Sequence, residues 1–246
     1  MNPDKSLLSR AIRVIDAVSR SGQGVRFSEA ASLLDNPSPS TVSKILKELV
    51  REGILQKTAE GRYALGRKVY FWGRAMAAQN TPIQTIRHQM QRLHRQLRIS
   101  VNLFTCVDST MFCLESYLDP QSPLLYPAGK SLPLRLSVQG AVFFIADEKL
   151  ADPAFIAEEA ELIEEPLTRT DLAEMVARAR SRGMQEDPGL FYPGIHRFAI
   201  PLREKGQTVM VLGVGLSAKR AGDTVFSEAI VTELRNVQAV IEDGFE

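Results

Sequence analysis

Three short runs of helically spaced apolar residues fill the first 51 positions, and the breakers between them are too brief to let the helices separate. The third run is the most restrictive. Val42, Ile45, Leu46, Leu49 and Val50 fall at i, i+3, i+4, i+7 and i+8, which commits one face of a helix to a core. Ser38-Pro39 opens it, with the serine as cap and proline at the first helical position, where no N–H is needed. Upstream, Ser28 offers an N-cap to a short helix bearing Ala30, Ala31, Leu33 and Leu34, stopped by Asp35-Asn36-Pro37. The first run places Leu8, Ala11, Ile12, Ile15 and Val18 in one stripe expected to be buried, and ends at Ser21-Gly22-Gln23-Gly24. Helix, tight turn and helix, braced by a first helix, is the expected arrangement.

The other face of the third helix carries Ser40, Thr41, Ser43, Lys44 and Lys47. Short hydroxyls and free backbone N–H groups near a helix start suit phosphates and base edges, and lysines reach further along a groove. Glu48 and Glu52 are expected to face away from DNA. Gly53 to Lys57 and Arg62 to Leu65 then read as two short strands around a turn at Thr58-Ala59-Glu60-Gly61, a wing flanked by Lys57 and Arg62. The candidate DNA contacts are therefore Ser28, Ser40, Thr41, Ser43, Lys44, Lys47, Lys57 and Arg62. Each of them also suits a merely solvated face, so the order of helices and wing carries more weight than any one residue.

Charge agrees with that order. The first 75 residues carry 13 basic and 7 acidic side chains, net +6, whereas the whole chain is +1, so the remainder sums to −5. A basic head on an acidic body suits a polyanionic partner, here double-stranded DNA. The two cysteines, Cys106 and Cys113, are too few for a disulfide framework, and the N-terminus lacks the pattern of a secretory signal, so the cytoplasm is the expected compartment. The longest apolar stretches fall well short of the roughly 20 residues of a membrane span, and no membrane role is expected. No CxxC, HExxH, G-x-S-x-G or glycine-rich phosphate loop is present, and His88 and His94 lie six apart, on different faces of a helix. No catalytic residues, metal ligands or cofactor are expected, and the chain is not read as an enzyme.

Arg67 to Gln79 reads as a linker helix with Val69, Tyr70, Phe71, Trp72 and Met76, more apolar surface than one small domain needs; it packs either against a second subunit or within the chain. A helix with Ile83, Ile86, Met90, Leu93 and Leu97 on one side follows. Strands are expected at 100–107 and 111–117 around a turn at Asp108-Ser109-Thr110, and at 198–203 and 208–216 around Glu204-Lys205-Gly206-Gln207. Helices are expected at Ser137 to Ala146, Thr170 to Arg182 and Phe226 to Ile241. The fold class is α+β in two domains: residues 1–66 a winged helix-turn-helix, 67–81 the linker helix, and 82–246 an antiparallel sheet flanked by helices.

The chain resembles the IclR-type transcription regulators along nearly its whole length. Ser9-Arg10-Ala11-Ile12-Arg13-Val14-Ile15, Ser40-Thr41-Val42, Leu49-Val50-Arg51-Glu52-Gly53-Ile54-Leu55 and Gly61-Arg62-Tyr63-Ala64-Leu65-Gly66 carry the likeness in the first half. Leu132-Pro133-Leu134 with Ser137 and Gly140, Phe191-Tyr192-Pro193-Gly194-Ile195, and Phe198-Ala199-Ile200-Pro201-Leu202-Arg203 carry it in the second. The resemblance implies a homodimer, or a homotetramer built as a dimer of dimers, on pseudo-palindromic DNA. It also implies a GAF-like C-terminal domain that binds a small-molecule effector.

Carried over from the family, the effector site comprises Leu134, Ser137, Val138, Gln139, Asp187, Arg197, Gly213 and Gly215. Ser137, Val138 and Gln139 are expected to offer backbone N–H groups at a helix start to a carboxylate. Arg197 stands where the family often has cysteine, and Gly213 and Gly215 where it often has serine, which implies a wider, more cationic pocket for an anionic effector. An internal ion pair between Arg197 and Asp187, with the glycines permitting close strand packing, is the competing account. A ligand-free architectural DNA-binding protein whose second domain only oligomerises is the alternative function.

Overall fold

The structure, a computed structural model, describes residues 6–34, 37–79, 81–121, 126–161 and 169–245. The chain divides into two compact units, Met1–Asn80 and Thr81–Glu246. The breakers at 35–36 lie outside the described residues.

In the first unit α1 (Leu7–Arg20), α2 (Phe27–Leu33) and α3 (Pro39–Arg51) are followed by the hairpin β1 (Leu55–Lys57) and β2 (Tyr63–Leu65), then α4 (Arg67–Gln79). Val14, Val18, Ala30, Leu34, Val42, Ile45, Leu46, Leu49 and Leu55 form its core. The hairpin pairs Leu55 with Leu65 and Lys57 with Tyr63, and Val25 adds a bridge to Tyr63. Two expectations change. Ser28 is not the cap of α2: the cap residue is Arg26, whose backbone N–H donates to Glu29 Oε2 at 2.6 Å, which draws Phe27 and Ser28 into the first turn. In α1 the buried stripe is centred on Val14 and Val18, with Leu8 71% and Ile12 49% exposed. The helix has two adjoining apolar stripes, and α2, α3 and β2 cover only one of them, a choice that periodicity cannot express.

The second unit opens with α5 (Thr81–Leu97) and the hairpin β3 (Ser100–Val107) and β4 (Thr110–Tyr117). β5 (Ser131–Pro133), a 3-10 turn at Ala141–Phe143, α6 (Asp147–Leu150), α7 (Pro153–Ala160) and α8 (Arg169–Arg182) follow. The chain ends with β6 (Gln185–Asp187), the hairpin β7 (Ile195–Glu204) and β8 (Gln207–Ser217), α9 (Ala218–Ala221) and α10 (Thr224–Asp243). The strands form one antiparallel sheet in the order β5-β4-β3-β8-β7-β6. Both hairpins turn through two residues of positive φ, Asp108 and Ser109 in one and Lys205 and Gly206 in the other, the backbone handedness that matches strand twist.

The sheet is covered on both faces. Ile86, Met90 and Leu93 of α5 and Ile230, Leu234, Val237 and Ile241 of α10 pack on Phe198, Ile200, Leu212 and Val214. On the other face Leu172, Met175, Val176 and Ala179 of α8 join Phe104, Ala199, Val211 and the segment Leu136–Ile145. The helix expected at Ser137 to Ala146 does not form. Gly140 takes φ +79°, interrupting the helical backbone, and only the 3-10 turn after it is regular. Met90 is fully buried between α5 and the sheet. Met90→Ala is expected to lower stability by about 2–5 kcal/mol, measured by urea unfolding, as buried large-to-small changes do.

Candidate functional site

At the start of α3 Ser38 Oγ accepts from the Thr41 N–H at 3.3 Å and lies 2.8 Å from Thr41 Oγ1 and 2.9 Å from Ser40 Oγ. Three hydroxyls thus gather at the positive end of the helix, where an anion is stabilised. Ser40, Lys44 and Lys47 are exposed at i, i+4 and i+7, with Thr41 and Ser43 half-buried beside them, opposite the buried Val42, Ile45, Leu46 and Leu49. Ser38, read from sequence only as a cap, belongs to this exposed hydroxyl group. Lys57 is exposed on the hairpin, its Nζ 5.9 Å from the Tyr63 ring centre. Arg62 is turned inward: Nη1 donates to the Gly24 carbonyl at 2.9 Å and lies 3.8 Å from Glu29. Its guanidinium ties the hairpin to the loop after α1, whereas the sequence offered it as a free wing cation. Ser28 is exposed on α2.

In the second unit Arg197 of β7 lies between Asp187 of β6 and Gly215 of β8 in the strand register. Arg197 and Asp187 are each 1% exposed. Arg197 Nε donates to Asp187 Oδ2 at 2.9 Å, and Nη2 donates to the same oxygen. Nη1 donates to the Ser137 carbonyl at 2.9 Å and to Tyr126 Oη at 3.3 Å. Asp187 Oδ1 accepts from the backbone N–H groups of Gly189 at 3.0 Å and Leu190 at 2.6 Å. The rings of Tyr192 and Phe191 stand 4.8 and 5.6 Å from the guanidinium carbon, a cation–π enclosure. Burial pushes the Tyr126 hydroxyl well above the ordinary tyrosine range, so it stays protonated beside Arg197.

Of the two accounts of Arg197 and Asp187, the structure therefore holds the internal ion pair. The space left by Gly213 is also filled. Gln139 is 3% exposed and its Nε2 donates to the carbonyls of Phe198 at 2.9 Å and Val214 at 2.8 Å. A Cβ on Gly213 would come within 2.6 Å of Gln139 Cδ. The wider, more cationic pocket expected from the substitutions is thereby neutralised and occupied by the chain's own side chains. Nor do Ser137, Val138 and Gln139 begin a helix. The Val138 N–H donates to the Arg135 carbonyl and Ser137 contributes its carbonyl to Arg197, so this loop receives a cation. Leu134 and Val138 belong to the apolar cluster beside it. All eight expected effector residues thus lie in or around one region of the sheet face, and Tyr126, Phe191 and Tyr192 join them.

Cys113 is buried and Cys106 half-buried, and burial raises both thiol pKa values, which disfavours thiolate. Among the described residues no group of three His, Cys, Asp or Glu side chains is gathered that could hold a metal ion. Among the described residues no helix is long and apolar enough to cross a membrane.

Residues 7–59 match the family model of the IclR helix-turn-helix domain. This segment is an IclR-type helix-turn-helix. The whole chain has the fold of IclR regulators. It is similar to an IclR transcriptional regulator from Alicyclobacillus acidocaldarius, with 17% identity, 98% of each chain covered and a TM-score of 0.75. It is also similar to an IclR homologue from Microbacterium hydrocarbonoxydans complexed with 4-hydroxybenzoate, with 20% identity, coverage of 98% and 99% and a TM-score of 0.69. An IclR family regulator from Brucella abortus matches at 19% identity, coverage of 97% and 91% and a TM-score of 0.71. No curated protein matches the chain.

Within this IclR fold the aromatic enclosure was only half legible in the sequence. Phe191 and Tyr192 lie in the stretch Phe191-Tyr192-Pro193-Gly194-Ile195 that carries the family resemblance, but Tyr126 is a single aromatic in a loop, with no periodic signal. Removing one partner of the buried pair strands the other. Arg197→Met is expected to destabilise the domain by about 3–5 kcal/mol in urea unfolding, and Arg197→Met with Asp187→Leu to regain only part of that loss, because the Gly189 and Leu190 N–H groups lose their carboxylate acceptor.

Proposed function

We propose that the chain is a sequence-specific transcription regulator that binds a pseudo-palindromic operator as a homodimer or homotetramer in the cytoplasm, under control of a small effector. The observation that carries the DNA reading is the α3 face, where Ser40, Lys44 and Lys47 stand exposed in one stripe behind a hydroxyl-lined helix start. The +6 charge of the first 75 residues supports it. Arg62, committed to Gly24, is left out of the proposed contacts; Ser28, Ser40, Thr41, Ser43, Lys44, Lys47 and Lys57 remain. Exposed Leu8 and Ile12 on α1 and Tyr70, Phe71, Trp72 and Met76 on α4 support self-association. Residues 67–81 act as the linker in this reading.

We assign the effector to the region around Arg197, Ser137 and Asp187 and give it a carboxylate. A guanidinium enclosed by Tyr126, Phe191 and Tyr192 suits such a group, which on entry would take Arg197 from Asp187. The 4-hydroxybenzoate complex of the Microbacterium hydrocarbonoxydans protein adds support by analogy. The completed ion pair and the Gln139 plug favour a second reading, a ligand-free architectural protein. A thermal-shift panel of aliphatic and aromatic carboxylates separates the two, because a ligand of the native state raises Tm and the second reading expects no shift.

Selection of random duplexes is expected to enrich a palindrome, and salt titration to weaken binding to it. Lys44→Ala should weaken that binding further and reduce the salt slope by about 1 if its contact is to phosphate. Failure to enrich any sequence, with or without the effective carboxylate, would overturn the specific-regulator reading. In sedimentation, Trp72→Asp is expected to shift the protein toward monomer; an unchanged mass in a folded variant would remove α4 from the interface.

A further inference from the structure

Between α8 and the edge strand β6 lies a cavity of about 160 Å³ lined by Met175, Arg178, Arg182, Met184, Glu186 and Pro188. Arg178 and Arg182 stand one turn apart on α8, both exposed. Among the described residues neither guanidinium has a hydrogen-bond or ion-pair partner, whereas Arg180 between them pairs with Asp147. Glu186, whose carboxylate lies 3.1 Å from His196 Nε2, carries one negative charge against the two guanidiniums. That hydrogen bond, with the charges of Arg182 and Arg178 behind it, holds the Glu186 carboxyl below the ordinary glutamate range, so it is ionised at neutral pH. Two arginines against one carboxylate leave a net charge of +1 in the cavity.

The lining is not uniformly polar. Met175 is 1% and Met184 8% exposed, so both thioether chains contribute floor while the guanidiniums form the rim. Methionine sulfur makes favourable contacts with aromatic rings, and a cavity of about 150 Å³ takes a benzene ring. We infer that this cavity is a second small-molecule site, for an aromatic monocarboxylate whose carboxylate lies between Arg178 and Arg182 and whose ring covers Met175 and Met184. A free inorganic anion would satisfy the arginines and leave the thioether floor uncovered. The site is separate from the Arg197 region in its lining: none of Tyr126, Ser137, Gln139, Asp187 and Arg197 lines it, although Glu186 adjoins Asp187 in β6.

The test uses the full chain labelled with 13C at the methionine methyl groups and titrated with benzoate, the Met175 and Met184 signals being assigned through Met175→Leu and Met184→Leu. Both signals are expected to move saturably. In Arg178→Gln/Arg182→Gln the apparent affinity read at these signals should fall at least tenfold, with the remaining methionine signals in place as evidence of an intact fold. Movement confined to other methionines, movement unchanged in the double variant, or the same movement with inorganic phosphate would each overturn the proposal. Operator binding does not enter the readout, so this result stands apart from the test of the regulator reading.

Discussion

Burial of β7 and β8 on both faces is the constraint around which the second unit is organised. A strand covered on both sides must either be apolar throughout or satisfy every polar group it carries. Toward α5 and α10 these strands present Phe198, Ile200, Leu212, Val214 and Leu216, which meets the first condition. Toward α8 they present Arg197, Ala199, Val211, Gly213 and Gly215, and this face meets the second. The small residues create room, and Arg197 and Gln139 fill it with every contact described above directed to a carboxylate, a carbonyl, a hydroxyl or a ring. The paired charges cost desolvation free energy, so the arrangement specifies geometry more than it adds stability.

The same face explains why the segment from Leu134 to Gly140 is a loop. Its Gln139 side chain reaches two strand carbonyls, its Ser137 carbonyl receives Arg197, and its Gly140 N–H donates to Gln185 Oε1 at 2.6 Å. A regular helix would direct those backbone groups to one another. Gln185 Nε2, buried and unpartnered among the described residues, is the one side-chain donor there left over.

The N-terminal domain is simpler because one helix sets most of its exposed hydroxyl and lysine face. Once α3 buries Val42, Ile45, Leu46 and Leu49, the 3.6-residue repeat leaves Ser40, Lys44 and Lys47 on the outside together. Burial on one side and exposure on the other follow from a single periodicity. The charged residues nearest the hairpin divide by a different rule: Lys57 stays in solvent, while Arg62 donates to the Gly24 carbonyl, which also accepts from Ser21 Oγ, and is drawn into the fold.

What the sequence by itself determined is what depends on neighbours a few residues away. The three helices and the wing, the serine cap of α3, the places of the turns in both large hairpins and the α+β class follow from local periodicity and turn chemistry. What only the tertiary structure decided depends on groups far apart in the chain. Which stripe of α1 is covered, whether Arg62 is free, whether Ser137 begins a helix, and whether Arg197 faces a ligand or Asp187 are such choices. Each is a competition among partners 10 to 75 residues distant for the same hydrogen-bonding group or apolar surface, and the outcome is set by packing geometry. Local pattern names the competitors, and three-dimensional proximity selects the winner.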